Sequence, residues 1–305
     1  MSAEASDINR SIFNEEAASY DDKHRKLNER LTRELQARLE FIGVDWASDD
    51  EGESEDENDK EAVKEDSKPR REVRLLDYAC GTGMMSRALA PYTTQCVGMD
   101  ISENMIAAYN TGAENQGLSP KEMHAVLGDL TSPTVSDDLS APELFGFDIA
   151  VVGGGFHHFG DPELAAKRLV ERLKPGGVLL IWDFMPHGPL HHHDQHQHHH
   201  GHHDHDQAHG HGDTHAQNDG QSSRHIYHSV MHHGFSEPRM REIFTAAGAG
   251  ADFKLELIGG GFVLGHGQQS AEDEKVGAKD GAEGDKEREA SRRQVFFARG
   301  TKAVV

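Results

Sequence analysis

The chain has 305 residues, of which only 35% are apolar, and carries a formal charge of −22; its mean hydropathy is −0.70. That length holds one large domain or two small ones, and the charge argues against nonspecific binding to nucleic acid or an anionic membrane. Two cysteines, Cys80 and Cys96, imply no disulfide framework and suit a reducing compartment, cytoplasm or nucleus, while the absence of any apolar run of about 18 residues excludes a spanning helix and the polar, acidic start shows no secretory h-region.

Residues 1–14 read as loose. From Glu15 to about Ile42, Leu27, Leu31, Leu35, Leu39 and Ile42 recur at helical spacing with charges between them, which predicts a helix packed on the rest of the chain. Asp49–Asp66 then holds eleven acids and two lysines. Such a run repels itself and buries too little apolar surface to order. Residues 49–70 therefore read as a disordered linker between a helical cap over 1–48 and a domain over 71–305. A tail for a basic partner is the rival reading.

The domain opens on Val73-Arg74-Leu75-Leu76-Asp77-Tyr78-Ala79-Cys80-Gly81-Thr82-Gly83. Its apolar start suits a buried strand over Glu72–Asp77. Gly81 and Gly83 permit a tight turn and close approach, and Met84–Ala90 begins a helix. Such a unit offers backbone N–H groups and a positive helix end to a ligand. The spacing is not G-x-G-x-x-G, so no dinucleotide fingerprint is present. A second strand, Cys96–Asp100, ends in an acid seventeen residues after Gly83. In a doubly wound sheet an acid there reaches a ribose diol. The pair points to a nucleoside ligand that need not carry a pyrophosphate.

Ser102 starts a helix through Tyr109. Met123–Leu127 reads as strand three, followed by Gly128-Asp129-Leu130, and Phe147–Val152 as strand four. Asp161 caps a helix from Pro162 to Leu173. Lys174-Pro175-Gly176-Gly177 breaks it, and Val178–Phe184 is strand five. This alternation predicts an α/β fold with a parallel, doubly wound sheet. Residues 187–224 form a His-rich insertion; His187–His215 alone holds fourteen of the chain's 23 histidines and almost no apolar residue, so it cannot form a core. Ser236 caps a further helix to about Ala247, Asp252–Ile258 is strand six, 267–292 is a charged loop, and Gln294–Ala298 is the last strand.

The glycine turn with Asp77, Ala79, Gly81 and Gly83, the acid at Asp100, Asp129 after strand three and Gly153-Gly154-Gly155-Phe156-His157-His158-Phe159 after strand four resemble the class I S-adenosylmethionine-dependent methyltransferases, in particular their small-molecule, ubiquinone-type branch. The resemblance covers roughly residues 70–184 well and 225–300 more loosely. It implies a Rossmann-like seven-stranded sheet, mostly parallel, with an antiparallel last strand. It implies S-adenosyl-L-methionine as cofactor, with Asp77, Ala79, Gly81 and Gly83 along its methionine part. By the same resemblance Asp100 accepts from the ribose, Ile101 packs on adenine with Met105 beside it, and Asp129 accepts from the adenine amino group with Leu130 adjacent. The family usually has glycine where this chain has Ala79, so the methionine channel is expected to be narrower here. Ala17-Ala18-Ser19-Tyr20-Asp21 resembles the family's N-terminal cap, which makes Tyr20 a lid residue.

Methyl transfer from a sulfonium needs alignment more than activation. A base is required only for an acceptor that arrives protonated, and histidine suits a phenol or enol. His157 and His233 are the candidate bases, with His158 and His232 on the substrate side. The expected partner is a small-molecule acceptor, with neither nucleic acid nor membrane. Two rivals stand beside this reading: a protein or RNA methyltransferase, and a non-catalytic metal- or partner-binding protein on the same fold. Dense imidazole at His191, His192, His193, His198, His199 and His200 suits nonspecific divalent-metal binding, without the fixed spacing of a closed site.

Overall fold

A computed structural model describes residues 2–47, 71–186, 229–263 and 292–304. The acidic tract, the histidine tract with its six metal candidates, and the charged segment before the last strand lie outside these residues.

Seven strands form one sheet: β1 (Arg74–Tyr78), β2 (Gln95–Asp100), β3 (Met123–Leu127), β4 (Phe147–Gly153), β5 (Leu173–Phe184), β6 (Ala251–Val263) and β7 (Arg292–Thr301). Their order is β3-β2-β1-β4-β5-β7-β6. The first five pair in parallel, and β7 runs antiparallel to both β5 and β6. This is the Rossmann-like sheet expected, antiparallel last strand included. Leu75, Leu76, Ile149, Ala150, Val151 and Val152 are fully buried, because helices cover both faces of these strands.

Seven α-helices accompany the sheet among the described residues: α1 (Ser2–Glu16), α2 (Tyr20–Gln36), α3 (Leu39–Ile42), α4 (Met84–Leu89), α5 (Glu103–Asn115), α6 (Pro162–Arg172) and α7 (Glu237–Ala247). One core joins Leu31 and Leu35 of α2 and Ile42 of α3 to Leu75, Ile149, Leu180 and Phe297. The other joins Ala165 and Leu169 of α6 and Ile243 and Phe244 of α7 to Leu76, Ala150 and Leu179. Three helices begin where a side chain caps them. Ser102 accepts from Met105 N, Asp161 from Leu164 N and Ser236 from Arg239 N, each satisfying a donor the helix leaves open.

The N-terminal segment departs from expectation. Residues 2–14 are not loose: α1 occupies them, and a 3₁₀ turn over Ala17–Ser19 separates it from α2. A break at Ala37 and Arg38 likewise divides α2 from α3, so the single helix expected over Glu15–Ile42 is interrupted twice. The weak apolar stripe of α1, Ala5 and Ile12, is supplemented by polar anchors. Ser6 Oγ donates to Asp129 Oδ2 at 2.8 Å, Asn9 Nδ2 to the His158 carbonyl at 3.0 Å, and Ser102 Oγ to Asn14 Oδ1 at 2.6 Å. These bonds place α1 across the carboxyl ends of the strands. Elsewhere the differences are of extent: α5 continues to Asn115, six residues past Tyr109, and β5 begins at Leu173, with a register shift opposite Phe147–Ile149 that absorbs Lys174–Gly177.

Candidate functional site

The strand order reverses between β1 and β4, and crevices at such a point hold ligands. There α1, the start of α2 and the tips of β1, β2 and β4 line a cleft. Ala79, Gly81, Asp100, Ile101 and Met105 line it, as do Tyr20, Thr131, Gly153–Gly155, His158 and, from α1, Ser6, Asn9 and Phe13.

The β1 turn is built from left-handed residues. Ala79 stands at φ +53, Gly81 at +51 and Gly83 at +97. A side chain at Gly83 would collide with the Tyr109 ring. For Ala79 the left-handed backbone costs about 1–2 kcal/mol, which accounts for glycine being the family's usual residue there. The added methyl is accommodated across the cleft: a Cβ on Gly155 would lie 2.9 Å from that of Ala79.

Asp100 is 7% exposed. Its Oδ2 accepts from Gly81 N at 2.8 Å and its Oδ1 from Ser102 N at 3.0 Å. Burial pushes its carboxyl above the ordinary range, opposed by these backbone donors. It is aimed into the cleft with lone pairs to spare. Burial likewise pushes the Tyr20 hydroxyl up to about 12, helped by Asp100, Asp21 and Glu16. Asp129 Oδ1 accepts from Thr131 N at 2.7 Å and from Thr131 Oγ1 at 2.6 Å, while Oδ2 takes the Ser6 hydroxyl.

Asp77, Gly83, Asp129 and Leu130 are not among the residues lining the cleft. Leu130 is core, its N donating to the Tyr78 hydroxyl at 2.9 Å. Asp77 Oδ2 accepts from Ser86 N at 3.0 Å and Ser86 Oγ at 2.8 Å, tying β1 to α4, whereas Oδ1 is buried without a hydrogen-bond partner. Burial pushes this carboxyl up to about 7 against the Ser86 bonds. An unfolded aspartate titrates near about pH 3.9. Between those values the native chain binds the extra proton, so the contribution to stability is full at low pH and is lost as pH rises through about 7. Asp77→Asn removes the titration. The melting temperature of this variant relative to the parent is therefore expected to rise from about pH 5 to about pH 8; a constant difference would contradict the assignment.

The two neighbouring histidines occupy different places. His157 Nδ1 lies 3.0 Å from Asp183 Oδ1, and its own N donates to Asp183 Oδ2 at 3.0 Å. Asp183, fully buried on β5, also accepts from Phe184 N at 2.7 Å. His157 is not among the cleft-lining residues; His158 is. His158 Nδ1 lies 2.9 Å from the Ser229 carbonyl, its ring stacks on that of His157 with centroids 4.0 Å apart, and Phe13 meets it edge-on at 5.3 Å. Burial, with His157 alongside, holds His158 well below the usual imidazole range. His232 and His233 lie outside the cleft lining; His232 Nε2 is 3.0 Å from the Phe159 carbonyl, and His233 is exposed.

Sequence reasoning missed Ser6, Asn9, Phe13, Thr131, Asp183 and Ser229. Asp183 was detectable as an acid inside the apolar run Leu179–Phe184, which must find donors when buried. Those from α1 carried no signal, because their segment has too few apolar residues to mark a buried helix face. No group of three or more metal-ligating side chains occurs among the described residues, and none of their helices is long and apolar enough to cross a membrane.

A mostly parallel sheet with a cleft at its switch point and an acid at the tip of β2 is an arrangement that can take a nucleoside. Residues 76–179 match a family described as a methyltransferase domain. An uncharacterized methyltransferase of Schizosaccharomyces pombe is 33% identical over 124 residues, 41% of this chain and 43% of that protein. A demethylmenaquinone methyltransferase of Thermus thermophilus is 34% identical over 117 residues, 37% of this chain and 48% of that one. The matches thus span less than half the length of these relatives. Among solved structures, a chain from the complex of the Haloferax volcanii Trm112 methyltransferase activator with a putative methyltransferase shares the fold at TM-score 0.52 and 15% identity, covering 95% of this chain and 97% of that one. A putative sarcosine dimethylglycine methyltransferase from Galdieria sulphuraria does so at TM-score 0.51 and 14% identity, covering 92% and 88%. Residues 76–179 thus match a methyltransferase domain, and the described chain shares the fold of these methyltransferase structures.

Proposed function

We propose that this protein transfers a methyl group from S-adenosyl-L-methionine to a small-molecule acceptor by SN2 displacement. The roofed cleft carries the reading. With α1 laid over it and bonded to Asp129, His158 and Ser102, the approach beside a bound nucleoside is narrowed, which favours a small acceptor. The demethylmenaquinone methyltransferase relative, whose name specifies a small acceptor, supports the same class.

The residues present fit the cofactor. Asp100 keeps lone pairs on both oxygens for a ribose diol, Ile101 and Met105 would flank an adenine, Thr131 lies beside them, and the turn through Ala79 and Gly81 would border the methionine end. Gly154, at φ +70, faces the Trp182 ring, and a Cβ there would strike it, so the backbone itself floors the cleft. The sulfonium supplies a methyl group already activated by positive charge. The protein's part is to hold the acceptor in line and to exclude water, for which Tyr20 and Phe13 serve as lid residues. Incubating the full chain with methyl-labelled cofactor and cell extract, then separating small molecules from macromolecules, tests the assignment. Label is expected in the small fraction; label confined to protein or RNA would overturn it.

A further inference from the structure

We infer that His158 is the base that takes the acceptor's proton, and hence that the acceptor presents an O–H group of phenol or enol type; this rests on the methyltransferase reading above. The tautomer carries the inference. The Ser229 carbonyl only accepts, so the His158 Nδ1 at 2.9 Å from it must bear the hydrogen and donate. In the neutral ring Nε2 then holds a lone pair. Burial keeps the ring neutral at pH 7, and no second hydrogen bond occupies this ring among the described residues. His158 lines the cleft together with Asp100, Gly154 and Gly155.

The surroundings fix that geometry from three sides. Asn9 of α1 donates to the His158 carbonyl at 3.0 Å. Asp183 holds the N–H and Nδ1 of His157, whose ring backs His158. Met231 N and His232 N both donate to the His157 carbonyl at 3.0 Å, which pins the segment carrying Ser229 against the turn. Asn9, His157, Asp183 and Ser229 are therefore positioning residues.

The step balances without another reactant. As the acceptor oxygen forms its bond to the methyl carbon, the carbon–sulfur bond breaks and its electron pair stays on sulfur, leaving a neutral thioether. The oxygen's proton passes to His158 Nε2, and the imidazolium releases it to water once product leaves. The positive charge thus moves from sulfur to the ring, with none created.

The test uses the full chain with ¹⁵N-labelled histidine, loaded with S-adenosylhomocysteine, and two probes of similar shape: phenol, which donates, and anisole, which does not. His158→Gln, or through-bond assignment if that variant fails to fold, identifies the ring signals. Nε2 is expected in the lone-pair range at pH 7, moving upfield with phenol and not with anisole. A protonated Nε2, no shift with phenol, or equal shifts with both would overturn the inference. Failure of S-adenosylhomocysteine to bind at all would instead overturn the methyltransferase reading.

Discussion

Asp100→Ala is expected to weaken binding of S-adenosylhomocysteine by about 10²- to 10⁴-fold. Two charge-assisted hydrogen bonds to ribose hydroxyls are worth about 1.5–3 kcal/mol each, and each 1.4 kcal/mol or so is tenfold in affinity. The carboxylate has a second duty: it accepts from Gly81 N and Ser102 N, so it also holds the β1 turn against the start of α5. Its removal unties both walls of the nucleoside site. Asp100→Asn keeps one acceptor oxygen and should fall between. Isothermal titration of parent and variants, with circular dichroism to confirm folding, gives the comparison. An Asp100→Ala protein that bound within about threefold of the parent would show that the ribose lies elsewhere.

Asp183→Ala is expected to cost about 3–5 kcal/mol of stability, the range for removing one partner of a buried, hydrogen-bonded pair. Three donors lose their acceptor together: the His157 N–H, the His157 ring and the Phe184 N–H. None can reach solvent in its place, since Asp183 is fully buried and His157 is 7% exposed. Each such orphan costs about 1–3 kcal/mol, with overlap because they share one site. Asp183→Asn preserves an acceptor and should recover part of the loss. Urea denaturation reads the effect as a lower midpoint at unchanged slope; a loss below about 1 kcal/mol would mean that the turn carrying His157 and His158 does not depend on this carboxylate.

The sheet was legible because its signals are local. β-branched and leucine-rich strands, the caps Ser102, Asp161 and Ser236, and the β-α alternation each name their element, and Met123–Leu127 was located to the residue. Asp100 was legible as well, because a carboxylate at the end of a buried strand needs donors, and the strand tip is where a ligand brings them. The roof was not. α1 has a thin apolar stripe and is held by Ser6, Asn9 and Asn14 through bonds to residues about 90 to 150 positions away, a kind of support no local pattern reports. The distinction between His157 and His158 was hidden for the same reason. Adjacent and chemically alike, they diverge only because Asp183 and the Ser229 carbonyl, contributed by β5 and by the chain before α7, each claim one ring.

The most direct measurement is a crystal structure of the full chain with S-adenosylhomocysteine. The adenine is expected between Ile101 and Met105, the ribose hydroxyls on Asp100, and the sulfur directed toward His158 beneath α1. A nucleoside bound outside this cleft, or a sulfur turned away from His158 toward solvent, would contradict the functional reading of the site.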